Sequence, residues 1–94
     1  MTIRKTRKEI EKIDKEIIDL IEKRMQHIKE LTELKKKQNK PINDKQREKK
    51  LLAMYTDYAN EKPLDAHEIK EIFEKLHKMS KEIQKTYMGE GNLP

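Results

Sequence analysis

The 94-residue chain has no cysteine and no tryptophan. Without cysteine there are no disulfides and no thiolate metal sites. One phenylalanine and three tyrosines are the only aromatics, which gives no platform for stacking nucleic-acid bases. The two glycines, Gly89 and Gly91, both fall in the C-terminal "MGEGNLP", so no glycine loop exists to cradle a phosphate. No apolar run approaches the ~20 residues of a membrane span. The N-terminal "MTIRKTRKEIEK" lacks an apolar signal core. A cytoplasmic chain with no membrane partner is therefore expected. His27, His67 and His77 form no zinc-ligand spacing, with His67 expected on the surface and the other two flanking packed faces. There is no Ser/His/Asp constellation. Neither a metal nor any other cofactor is expected.

Charge is what the chain has in quantity: 44% of residues are Asp, Glu, Lys or Arg, against 33% apolar. That is a thin supply of core for a small monomer, which buries a low fraction of its surface. The apolar residues are periodic, which argues against disorder and for an oligomer of helices. The net charge of +5 comes from 23 basic and 18 acidic residues. Only four of the basic residues are arginines: Arg4, Arg7, Arg24 and Arg47. Arginine is the side chain suited to bidentate grip on planar anions, so each one is informative.

The pattern predicts an all-α chain of three helices, one long, one short and one of medium length. The first spans about Lys5 to Gln38. Its seven-residue columns read Ile10, Ile17, Arg24, Leu31; then Ile13, Leu20, His27, Leu34; then Arg7, Asp14, Ile21, Ile28, Lys35. Together they form one apolar stripe of helical period. At ~1.5 Å per residue the helix is about 50 Å long, more than a 94-residue globule can cover alone. Pro41 stops it, and Asn43 or Asp44 can cap a second helix, about Lys45 to Tyr58, with Leu51, Leu52, Tyr55 and Tyr58 on its apolar face. Asp65 and Glu68 form a capping box for a third helix reaching about Tyr87. Its inward residues are Ile69, Ile72, Phe73, Leu76, Met79 and Ile83. One domain fills 1–94, with a core of about 6–87 and a flexible tail at 88–94.

Several polar residues interrupt this pattern. Arg24 and Lys35 stand in the apolar stripe, three turns apart. Each alone reads as a side chain snorkelling to solvent or facing a helix C-terminus. Together they can hold a small anion. On the third helix Ser80 interrupts the stripe between Leu76 and Ile83, with Gln84 one turn on; a back-bonded serine beside a solvated glutamine is the plainer account. Asp44, Arg47 and Glu48 share a face where the second helix opens, either as a cap with an exposed salt bridge or as part of the same pocket. Arg7 lies about 25 Å from Arg24 along the axis, too far to share a small ligand within one chain. Two antiparallel copies of the first helix bring Arg7 of one toward the pocket of the other.

These residues are a familiar set. The segments "TRKEIEKIDKEIIDLIEKRMQHIKELTELK", "PINDKQRE" and "LDAHEI…MSKEIQ" resemble the all-helical class of chorismate mutases, over roughly Thr6 to Gln84. The family's substrate-binding positions fall on Arg7, Arg24, Lys35, Asp44, Arg47, Glu48, Ser80 and Gln84. The resemblance implies an intertwined homodimer in which Arg7 crosses to the partner's site. It implies rearrangement of chorismate to prephenate, on the route to phenylalanine and tyrosine, with no metal or cofactor. Arg24 and the partner's arginine would clamp the two carboxylates. Lys35 and Gln84 would serve the ether oxygen, and Glu48, with the backbone near Asp44, the ring hydroxyl. Ser80 would bind a carboxylate. Lys35, Gln84, Arg24 and Glu48 are thus the expected catalytic group. The nearest alternative keeps the fold and cleaves isochorismate to pyruvate and salicylate. A basic nucleic-acid binder and a plain coiled-coil adaptor are more distant alternatives; no nucleic-acid partner is expected, because 18 acids dilute the lysines.

Overall fold

The computed structural model describes residues 2–41 and 44–88. They form three helices and no strand: α1 (Ile3–Lys37), α2 (Lys45–Asn60) and α3 (Ala66–Met88). None is long and apolar enough to cross a membrane. Met88, expected to open the tail, is the last residue of α3; residues 89–94 lie outside the described residues, as does Asn43, the alternative cap of α2.

The ends of the helices are set by local chemistry. Thr2 caps α1, its hydroxyl accepting from the Lys5 N–H at 3.1 Å. Lys35, Lys36 and Lys37 crowd the last turn, where cations complement the carbonyl end of the helix. Asn39 follows at φ 53°, the left-handed conformation that ends many helices and that asparagine tolerates. Asp44 caps α2 by accepting from the Arg47 N–H at 3.0 Å. Asp65 opens α3, one carboxylate oxygen accepting from the N–H groups of His67 and Glu68 at 2.9 and 3.3 Å.

α3 is the central element, packing on α1 and on α2, while the backbones of those two stay apart among the described residues. Tyr55 of α2 lies against Phe73 of α3, ring centroids 4.5 Å apart. The buried apolar core is small: Met25, Ala59 and Leu76. Thr32, His77, Ser80 and Gln84 are also buried, so much of what α1 and α3 enclose is polar.

The apolar stripe of α1 is wider than α3 can cover. Its Ile21–Met25–Ile28–Thr32 flank turns toward α3 and is buried or half-buried, while Leu31 and Leu34 on the other flank stay exposed. Before Ile21 no described residue of α1 is even half-buried; Ile10, Ile13, Ile17 and Leu20 all face out. Tyr58, Ile72 and Met79, expected to face inward, are likewise exposed in the single chain. The reason is geometric: α3 touches one side of α1, and nothing among the described residues reaches the other. The result is an elongated body of 55 × 26 × 21 Å. Its radius of gyration, 16.8 Å, exceeds the ~12 Å of a compact chain this long.

Candidate active site

Where the C-terminal half of α1 meets the start of α2 and the end of α3, a cleft opens. α1 contributes Arg24, Ile28 and Lys35; the start of α2 contributes Asp44, Arg47, Glu48 and Leu51; α3 contributes His77, Ser80, Lys81 and Gln84. Seven of the eight residues singled out in the sequence thus line one cleft, from three helices. Arg7 is not among them: it is exposed on the uncovered half of α1. The cavity volume is about 100 Å³, small beside the several hundred Å³ of ordinary ligand pockets.

Arg24 is held rather than snorkelling. Its Nη1 donates to the Ser80 Oγ at 2.6 Å, and the same hydroxyl lies 2.8 Å from the Leu76 carbonyl oxygen as donor. Ser80 is therefore back-bonded to its own helix and also meets the cation. Burial pushes the Arg24 guanidinium down from its ordinary value, and Tyr55 pulls the other way. An arginine starts so high that it stays charged. Lys35 sits half-buried one turn beyond Thr32, whose hydroxyl donates to the Ile28 carbonyl at 2.7 Å. Gln84 is 6% exposed.

On the α2 wall, the Asp44 cap fixes the first turn and so places Arg47 and Glu48. The Glu48 carboxylate takes an ion pair from the Lys81 ammonium, Nζ to Oε1 2.9 Å, across to α3. Lys81 and His77 are the functional candidates that sequence reasoning missed. The signal was present: His77, Ser80, Lys81 and Gln84 follow the i, i+3, i+4, i+7 spacing of one helical face, so the polar stripe on α3 is four residues long.

His77 is 8% exposed and its Nε2 has no hydrogen-bond partner. Its ring stands 6.5 Å from that of Tyr55. Burial, then the Arg24 charge, pushes the imidazole down; Glu48 and Glu74 work against this and Lys81 with it. A flanking role in a packed face was expected for both His77 and His27, and His27 departs from it. Its side chain is 65% exposed and meets Glu30 at 3.2 Å, because it lies on the flank of α1 that α3 does not cover. His67 is on the surface, 3.0 Å from Glu71.

A second cleft, of about 470 Å³, lies between α2 and α3 at the opposite end, walled by Tyr55, Tyr58, Leu64, Ile69 and Phe73. It lacks converging polar groups. Among the described residues no cluster of His, Asp or Glu is arranged to hold a metal ion.

Comparison with known proteins points the same way. The family described as chorismate mutase type II matches residues 6–85. A chorismate mutase of Methanocaldococcus jannaschii is 34% identical over 84 residues, covering 89% of this chain and 85% of that protein. A bifunctional chorismate mutase/prephenate dehydratase of Buchnera aphidicola is 35% identical over 83 residues, which is 88% of this chain but 22% of that longer protein. No solved structure matches significantly. A cationic cleft built on three helices and a match spanning all three have one common reading: the chain belongs to the type II chorismate mutase family.

Proposed function

We propose that the chain catalyses the rearrangement of chorismate to prephenate, in the cytoplasm, on the route to phenylalanine and tyrosine. The observation that carries this is the convergence of Arg24, Lys35, Arg47, Glu48, Ser80 and Gln84 on one cleft. Chorismate bears two carboxylates, a ring hydroxyl and an ether bridge. Its rearrangement breaks the ether C–O bond and forms a C–C bond with no proton transferred. The protein then has two tasks: to hold the folded, reactive conformer and to stabilise negative charge growing on the ether oxygen.

Arg24, steadied by Ser80, binds one carboxylate in bidentate fashion. Lys35 and Gln84 donate to the ether oxygen. Glu48 accepts from the ring hydroxyl, with the backbone near Asp44 supporting it, and Arg47 adds to the positive field. An acid available to the hydroxyl favours the mutase over isochorismate cleavage.

The second carboxylate falls to Arg7 of a partner chain in a homodimer. Two observations support this assembly. The chain exposes 8204 Å², where a compact monomer of this mass exposes about 5,800 Å². The excess of roughly 2,400 Å² per chain, about 4,800 Å² for a pair, lies in the range of an obligate interface. The exposed stripe Ile10–Ile13–Ile17–Leu20 and the apolar α2–α3 cleft would supply apolar surface to such an interface. With α1 of the partner in place, the small cleft gains a wall and a cation.

The test is loss of chorismate ultraviolet absorbance, with prephenate confirmed by acid conversion to phenylpyruvate. The wild type should turn over. Arg24→Ala should lose at least ~10²-fold, the scale for removing a preorganised charge partner. A folded wild type that leaves chorismate unchanged refutes the reading; salicylate from isochorismate would replace it with the lyase.

A further inference from the structure

The Glu48–Lys81 pair has a consequence for how the cleft reads a ligand. Lys81 is on α3, between Ser80 and Gln84, and its ammonium crosses to Glu48 on α2 at 2.9 Å. Both side chains are about two-thirds buried, at 35% and 28% exposure, so this is a bond in a cleft wall rather than a solvated surface pair. The pair also spans the junction at which α2 and α3 must keep their distance for the cleft to keep its shape.

A glutamate has three rotatable side-chain bonds, and in an open cleft several orientations compete. Pairing one oxygen with a cation removes most of them. A carboxylate has two oxygens and about four acceptor sites, so a partner on Oε1 leaves capacity for a hydroxyl.

We infer that Lys81 is a positioning residue: it fixes the Glu48 carboxylate so that the remaining oxygen accepts from the hydroxyl of the bound ring. This rests on the chorismate mutase reading and deepens it. Lys81 acts through Glu48. Its loss lets the carboxylate wander, and a misplacement of about 1 Å can cost up to ~10²-fold in rate.

The experiment is a double-mutant cycle on chorismate turnover with wild type, Lys81→Met, Glu48→Gln and the double variant, together with Lys81→Arg. Circular dichroism confirms that each is folded. Lys81→Met should lose about 10- to 100-fold in kcat/KM, and Lys81→Arg, which can still pair with Glu48, should recover most of it. In the Glu48→Gln background, Lys81→Met should add little, because two residues acting as one unit are non-additive. Equal losses in both backgrounds, or an unimpaired Lys81→Met, overturn the inference while the mutase reading stands. A wild type inactive on chorismate overturns both.

Discussion

The two halves of α1 carry the same seven-residue apolar columns and meet different fates. From Ile21 onward, one flank packs on α3, burying Met25 and Thr32 and carrying Arg24 and Lys35 into the cleft. Before Ile21 the stripe faces solvent, with Ile10, Ile13 and Ile17 each about half exposed and Leu20 at 63%. The periodicity says that a face will be buried. It does not say by what. A helix about 50 Å long beside a 23-residue α3 must leave one half of its stripe uncovered by α3.

The largest effect should come from breaking the uncovered half. In Ile13→Asp/Ile17→Asp, each isoleucine forfeits about 1.5–3 kcal/mol of burial. A symmetric dimer loses four, about 6–12 kcal/mol, comparable to the ~8 kcal/mol of a micromolar association. Sedimentation should show a monomer, and chorismate turnover should vanish although neither residue lines the cleft. A dimeric, active variant would dissociate the exposed stripe from the site.

A sharper version uses one cation from each half. Arg7→Ala and Lys35→Ala should each lose ~10²-fold or more alone. Unfolded together and refolded as a mixture, they should regain about a quarter of wild-type activity. Half the dimers are then mixed, and each mixed dimer has one intact site when sites are shared across a two-fold. No recovery on mixing would place Arg7 outside the partner's site.

Much of this was legible in the sequence because helices declare themselves locally. Caps at Asp44 and Asp65, the stop at Pro41 and the period of the stripe depend on residues three or four apart. The anomalies Arg24, Ser80 and Gln84 stood out because each broke that period. Lys81 and His77 were hidden for the converse reason: on a lysine-rich helix one more lysine is no anomaly, and a histidine at the edge of an apolar face looks like packing. What decides their role is that Lys81 reaches across to Glu48 and that no partner meets the His77 Nε2. Both are facts of tertiary placement. Leu31, Leu34 and His27 were misjudged because a stripe read from sequence has no way to show which flank its neighbour takes.

The smallest effect belongs to the packed half, and it concerns pH. His77 lies among Arg24, Lys81, Glu48, Glu74 and Tyr55, and burial followed by the Arg24 charge holds its imidazole below the ordinary 6.5. The unfolded chain therefore binds a proton at this residue more readily than the folded one. Stability rises with pH wherever the unfolded state holds more protons. The contribution of neutral His77 is thus complete above about 6.5 and is lost as pH falls from there toward the lower folded value. Thermal melts followed by circular dichroism between about pH 7.5 and 5.5 should show the wild-type Tm declining toward acid. His77→Leu keeps an apolar side chain against Tyr55 and has no proton to take up, so its Tm should decline less. Parallel curves for the two proteins would mean that the imidazole titrates alike folded and unfolded, and that its place between α2 and α3 shields it from no proton.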